Sequence, residues 1–558
     1  MTEQTERHFR LRVSGMTCDS CNLHVQHAMA GIGLQDVHAD WRRGEAAFTI
    51  PPGREAPPLA RLDGALRDAG YGAVSVEPAG SVSAPAAPAS DRAGGEHDLL
   101  IVGSGSAAFA AAIRARELGA RVAMVERGTL GGTCVNVGCV PSKALLKAAE
   151  LHWEAGHHAF AGIHTRARRP DLGTLVEQKD GLVEELRRDR YEAVAAAYGW
   201  DVIRGEARFV DETTLDVGGS RFRPGSVLIA TGAQPWAPPI PGLRDAGYLT
   251  STSALELRRI PRRLAVIGGN AIGLELGQLF LHLGSEVTVL EALPRIAPFD
   301  EPEVSAALAD ALRQRGMALR AGLTVEAVGR RGRERVVRIT ERGGQSELLV
   351  DAVLVATGRR PDAGRLAPER AGVALDERGF VRVDAALRSS NPRVWAAGDV
   401  TGAPQFVYFA AYEGTLAADN ALGRSGRSVD LTGLPRVTFT SPQAAAVGLT
   451  EAEARDQGYG VRTTVLPMAL VPRAIVNHHP EGLVKLVVED GSGRLLGMHA
   501  VAEAAGEMIQ VGVLAIRHGI IVAELATDFF PYLTEVEAAK LAAQSLGRDV
   551  ALLSCCAG

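Results

Sequence analysis

Two stretches of this chain are built alike, and together they restrict the fold more than any other feature. The first is His97-Asp98-Leu99-Leu100-Ile101-Val102, followed by Gly103-Ser104-Gly105-Ser106-Ala107-Ala108 and an alanine-rich run. A short apolar run closed by glycine reads as a buried parallel strand entering a helix. Gly103 allows the turn, Gly105 lets the main chain approach a pyrophosphate, and Ala108 permits close helix–strand packing. The next strand, Arg121-Val122-Ala123-Met124-Val125, ends at Glu126, where an acid about twenty residues on can hold a ribose. The second stretch is Leu264-Ala265-Val266-Ile267-Gly268-Gly269-Asn270-Ala271-Ile272-Gly273. Gly268 and Gly273 are in place, but Asn270 replaces the middle glycine. Its partner strand, Glu286-Val287-Thr288-Val289-Leu290, ends at Glu291. Two such units predict two dinucleotides, one flavin held in place and one nicotinamide that exchanges. Glu291 accepts from a 2′-hydroxyl and repels a 2′-phosphate, which leans towards NADH, although Arg295 could offset it; NADPH or NADH stays open here.

Between and after these units lie Ile229-Ala230-Thr231-Gly232-Ala233 and Val394-Trp395-Ala396-Ala397-Gly398-Asp399. Thr231, Gly232, Gly398 and Asp399 are candidate cofactor contacts. An acid after a strand and a glycine, in this order along the chain, suits a flavin's ribityl chain.

Chemistry is written in Gly131-Gly132-Thr133-Cys134-Val135-Asn136-Val137-Gly138-Cys139-Val140-Pro141-Ser142-Lys143. The two cysteines precede a run that reads as a helix. A helix N-terminus lowers a cysteine pKa, and Lys143 adds positive charge. A buried structural cysteine needs neither.

The six cysteines fall as three pairs, Cys18/Cys21, Cys134/Cys139 and Cys555/Cys556. Paired cysteines in a reducing compartment point to metal or redox work rather than a disulfide scaffold. Cys18 and Cys21 form a C-x-x-C on a loop at a helix start, suited to one soft ion. Adjacent Cys555 and Cys556, about 3.8 Å apart at Cα, are better suited to passing an ion on than to a relaxed disulfide. A net charge of −5 argues against a general nucleic-acid role, and no apolar run is long enough for a membrane span. The polar first ten residues lack the apolar centre of a signal peptide, so the expected location is cytoplasmic.

With these residues in view, the chain from about residue 96 onwards resembles the pyridine nucleotide–disulfide oxidoreductases. The string from Gly132 to Lys143 is highly specific for that group. The G-M-T-C-x-x-C string at Gly15 to Cys21 resembles the heavy-metal-associated domain. The combination is similar to the branch of the family that reduces Hg(II). The implied fold is α/β: two Rossmann-like units for FAD and NAD(P), an α+β C-terminal dimerisation domain, and a βαββαβ ferredoxin-like metal-binding domain in front. The expected limits are 1–77 for the metal-binding domain, 78–96 for a Pro/Ala/Ser/Gly linker, 97–262 and 386–434 for the FAD unit, 263–385 for the NAD(P) unit, and 435–558 for the dimerisation domain.

The resemblance also implies roles. Cys139 is the flavin-side thiolate and Cys134 the distal one. Glu275 pairs with Lys143, and Tyr191 and Tyr532 flank the ion. Cys555 and Cys556 of one subunit of a homodimer deliver Hg(II) to the other, and Cys18 and Cys21 collect it first. One departure separates branches. Disulfide reductases carry His-Pro-Thr-x-x-Glu near the C-terminus, and this chain reads Phe530-Pro531-Tyr532-Leu533-Thr534-Glu535. Phe530 cannot protonate a departing thiol, whereas reducing a metal ion requires no such proton. Assay with lipoamide or glutathione disulfide separates that alternative, and metal-dependent nicotinamide consumption separates a mere metal carrier.

Overall fold

In this computed structural model the residues described are 7–16, 25–26, 28–30, 32, 34–40, 44–50, 56–67, 71–78 and 97–552. Cys18, Cys21, Cys555, Cys556 and nearly all of the expected linker lie outside them. The chain divides into two compact units, Met1–Ala93 and Gly94–Gly558.

In the N-terminal unit an antiparallel four-stranded sheet runs in the order Gln35–Asp40, Glu45–Ile50, Arg7–Ser14, Gly72–Pro78. Alternation in the first strand sends Phe9, Leu11 and Val13 inward, where they meet Phe48, Leu62 and Leu66. Residues 25–26 and 28–30 are helical, as is Leu59–Arg67, and Val25 and Met29 join the same core. This is the expected βαββαβ order.

The larger unit is built on a five-stranded parallel sheet. Its strand order is Val394–Ala396, Ser226–Ile229, Leu99–Val102, Val122–Glu126, Asp201–Arg204. Every residue of Leu99–Val102 is buried, as a strand covered on both faces requires. The chain leaves that strand for helix Ser106–Glu117, and its other neighbour arrives much later in sequence. Gly103 therefore sits where strand order reverses, at the carboxyl end of the strands, the place where such sheets bind ligands.

A second parallel sheet, of order Ala318–Ala321, Glu286–Glu291, Arg263–Ile267, Ala352–Val355, repeats the arrangement around Gly268. The chain returns to the first unit earlier than the expected limit at 385. Ala363, Leu366, Ala371, Val373 and Val381 are packed with Leu100, Val102 and Ile229, because their apolar side chains find cover there. The C-terminal domain is an antiparallel sheet of order Pro435–Thr438, Gln443–Gly448, Leu495–Ala502, Leu483–Glu489, Val461–Pro467, backed by helices Ala505–His518 and Glu537–Gln544. Among the described residues no helix is long and apolar enough to cross a membrane.

Two helices join the nucleotide units. Cys139–His157 runs alongside Ala271–His282 in the same direction. Leu145 and Ala149 of the first share a core with Leu274 and Leu279 of the second. Burying one such leucine contributes about 2 kcal/mol. At one end Lys143 meets Glu275. At the other, His152 Nδ1 lies 2.7 Å from the His282 carbonyl. Trp153 stacks on His282 there, with ring centroids 4.9 Å apart.

Candidate active site

Gly131 and Gly132 hold left-handed conformations, with φ of 103° and 65°. A Cβ on Gly132 would stand 2.5 Å from Gly105 Cα, so the cysteine loop lies directly on the first glycine loop. Asn136 Nδ2 donates to the carbonyls of Leu130 and Gly132, both at 2.9 Å, and closes this loop. Cys134 stands in the short helix Gly132–Val137. The helix breaks at Gly138, where a Cβ would press on the Thr133 carbonyl at 2.9 Å, and a new helix starts at Cys139. Pro141 fits its first turn because no intrahelical N–H is needed there.

The two cysteines are half-buried free thiols and are not equivalent. The Cys134 side chain donates a hydrogen bond to Cys139 and holds the Cys139 pKa down at about 7. Burial opposes this, while the Lys143 charge and the Cys139 main-chain N–H assist. As the donor, and through burial, Cys134 is pushed far up. Of the two thiols only Cys139 is acidified, because the hydrogen bond between them favours the anion on Cys139 and the proton on Cys134.

Lys143 Nζ donates to Glu275 Oε2 at 2.7 Å and lies 4.6 Å from the centre of the Phe439 ring. The other oxygen of Glu275, a buried residue, accepts from Phe439 N at 2.9 Å. One turn on, Gln278 donates to the Ser441 carbonyl and accepts from Ser441 N, both at 2.7 Å. The segment 439–441 of the C-terminal domain is thereby fixed against the helix that carries Glu275.

Tyr191 lies on a π-helical turn, Arg188–Glu192, inside an otherwise α-helical run. Such turns often mark functional positions. Its ring packs edge-on against Phe109 at 4.8 Å. Burial, then the negative charge of Cys134 and Cys139, pushes its hydroxyl pKa up. The structure thus brings Tyr191 to the cysteine pair. Tyr532 stands in the C-terminal domain, 46% exposed, near the fully exposed Phe529. Phe530 packs on that domain's core.

The two glycine loops match in detail. A Cβ on Gly103 would strike the Ala230 carbonyl, and one on Gly268 the Ala356 carbonyl. Gly105 faces open space, Ala108 is fully buried, and Gly273 lies against the Gly268 carbonyl. Asn270 departs from the pattern for a local reason: its side chain caps helix Ala271–His282, Oδ1 accepting from Ala271 N at 3.0 Å. Glu126 accepts from Ser104 Oγ at 2.5 Å and from Gly128 N at 2.6 Å. Glu291 accepts from Gly269 N at 2.7 Å and Leu293 N at 2.8 Å.

Thr231 Oγ1 is buried without a hydrogen-bond partner, next to Gly232 at φ 68°. Asp399 Oδ2 lies 3.3 Å from Arg359 Nη2, and burial raises its pKa. Sequence reasoning missed Glu413, which accepts from Gly398 N at 2.7 Å and whose pKa burial pushes up to about 7. An unpaired buried hydroxyl, a glycine cradle that a Cβ would fill and a buried acid at the strand ends fit an extended polar dinucleotide.

A family model described as pyridine nucleotide-disulphide oxidoreductase matches residues 97–414, and that family's dimerisation domain matches 434–543. The chain belongs to the pyridine nucleotide–disulphide oxidoreductases. Within this family it is 46% identical to a mercuric reductase of Staphylococcus aureus over 99% of this chain and 100% of that one. It is 49% identical to a mercuric reductase of Streptomyces lividans over 83% of this chain and 98% of that one. Among solved structures it is similar to the HOCl-induced flavoprotein disulfide reductase RclA of Escherichia coli in its Cu(II) complex. The TM-score is 0.74 and the identity 31%, over 81% of this chain and 100% of that one. LpdA of Mycobacterium tuberculosis gives a TM-score of 0.73 at 26% identity, over 81% and 99%.

Proposed function

We infer that this chain is a mercury(II) reductase, an FAD-dependent NAD(P)H oxidoreductase that turns Hg(II) into volatile Hg(0) and so detoxifies it. The observation that carries the reading is Phe530. Where a disulfide reductase needs a proton-carrying side chain, this chain has a half-buried phenyl ring packed against the C-terminal core. A departing thiolate needs a proton at that point, and a soft metal ion does not. The reaction balances as Hg(II) plus NAD(P)H giving Hg(0), NAD(P)+ and one proton.

FAD would supply the two-electron relay between the nicotinamide and the cysteine pair. Gly103, Gly105, Ala108, Glu126, Thr231, Gly232, Gly398, Asp399 and Lys143 would hold it. Gly268, Gly273, Glu275 and Glu291 would receive the nicotinamide dinucleotide. Cys139, with its pKa near neutrality, offers a thiolate, and Cys134 offers the second sulfur once its proton leaves. Soft thiolates capture Hg(II) tightly yet exchange it readily, and Hg(0) has little affinity for them. Lys143 stabilises the Cys139 anion, and Glu275 holds Lys143 in place. Tyr191 and Tyr532 line the ion's path.

The dimerisation domain supports a homodimer, in which Cys555 and Cys556 of one subunit pass Hg(II) to Cys134 and Cys139 of the other. Cys18 and Cys21 gather the ion first. The test replaces Cys555 and Cys556 with Ala and measures NAD(P)H oxidation and mercury vapour with thiol-ligated Hg(II). A sharp loss of both is expected. Unchanged turnover removes the tail from the mechanism, and absence of vapour from the unaltered protein removes the function.

A further inference from the structure

We propose that the second nucleotide unit selects NADH over NADPH and that Glu291 enforces the choice. The proposal rests on the reading that this unit takes a nicotinamide dinucleotide, and it names which one.

Glu291 ends the strand Glu286–Glu291 and is only 8% exposed. Its two oxygens accept from Gly269 N and Leu293 N, which fixes the carboxylate beside the glycine loop. Each oxygen keeps lone-pair capacity for a ribose hydroxyl. A 2′-phosphate at the same place would set two negative groups together in a poorly solvated pocket.

NADPH-binding sites answer that repulsion with arginine. The residues after Glu291 run Ala292-Leu293-Pro294-Arg295-Ile296-Ala297, so the loop carries one basic side chain. Arg295 is already committed, with Nε donating to Ser305 Oγ at 3.2 Å and Nη2 to the carbonyls of Pro298 and Asp300 at 3.0 and 2.9 Å. The neighbouring strand brings Arg320 opposite Leu290. That guanidinium pairs with both oxygens of Glu341 and reaches Ser346 Oγ at 2.9 Å. Turning either arginine towards a 2′-phosphate would break these bonds, and the Glu291 charge would remain.

The test is equilibrium binding of NAD+ and NADP+ to the purified flavin-loaded protein by titration calorimetry, since neither oxidised form reduces the enzyme. NAD+ is expected to bind at least about tenfold more tightly. Glu291→Gln keeps an oxygen for a main-chain N–H and removes the charge; it is expected to narrow the ratio by about tenfold, chiefly by tightening NADP+. Arg295→Ala is expected to leave the ratio unchanged. NADP+ binding as tightly as NAD+ overturns the proposal, as does a ratio that Glu291→Gln does not move or that Arg295→Ala shifts towards NAD+. Binding of neither dinucleotide overturns this proposal together with the reading of the unit. Selective NAD+ binding by a protein that evolves no mercury vapour keeps the proposal and removes the reductase reading.

Discussion

Lys143 Nζ lies 2.7 Å from Glu275 Oε2, so the thiolate-bearing helix of one nucleotide unit is ion-paired to the leading helix of the other. The two charges act on Cys139 in opposite senses, Lys143 lowering its pKa and Glu275 raising it. Lys143→Met is therefore expected to move the Cys139 pKa above about 7, and Glu275→Gln to move it below. Iodoacetamide alkylation of the reduced protein as a function of pH measures both shifts. Movement of the two variants in the same direction contradicts this account.

Between the cysteines, the hydrogen bond from Cys134 is the largest influence holding Cys139 down. In the unaltered reduced protein, Cys139 is expected to be alkylated with a midpoint near pH 7, while Cys134 resists until strongly alkaline pH. Cys134→Ala should carry the Cys139 midpoint up by about one unit, a tenfold slower reaction at pH 6. Peptide mapping of the alkylated sites separates the two sulfurs.

Tyr191→Phe keeps the edge-on contact with Phe109 and removes only the hydroxyl. Its thermal midpoint should stay within about 2 °C of the parent, because the packing is retained. Turnover with Hg(II) should fall by about tenfold, whereas reduction of the bound flavin by nicotinamide stays the same. Stopped-flow absorbance separates the two half-reactions, and an equal loss in both would place the hydroxyl elsewhere in the mechanism.

Glu413 is 1% exposed, and burial raises its pKa from the ordinary 4.5 to about 7. A raised carboxylate pKa means that folding takes up a proton. The associated stability is fully present below about pH 4.5 and is lost as pH rises to about 7. Glu413→Gln is expected to lose this dependence and to gain up to about 3 kcal/mol on the parent between pH 5 and 8. Denaturant unfolding at the two pH values tests the sign: a parent that becomes more stable over that window relative to the variant contradicts it.

Much of this site was legible in the sequence because its chemistry is local. Glycine spacing announced both cradles, and the cysteine string announced the helix start. Pro141 could also have announced the break at Gly138, since proline is at home in a first turn. Glu413 was not legible: it lies in the Ala-rich helix Val407–Ala421 and shows its purpose only when Gly398 folds onto it. The Gln278–Ser441 bonds join residues 163 positions apart, which no local pattern encodes. The π-turn at Tyr191 has no compositional mark. Glu275 was singled out by resemblance alone, and the carboxylate shared between Lys143 and Phe439 N became visible only in the structure.

The parallel helices Cys139–His157 and Ala271–His282 are riveted near both ends, by Lys143 with Glu275 and by His152 and Trp153 with His282. A clamshell motion that opened the crevice between the nucleotide units would have to shear salt bridge, ring stack and leucine seam at once. The crevice is therefore braced from two sides, and Phe439, 41% exposed and leaning on Lys143, is the side chain that stands beside its ion pair.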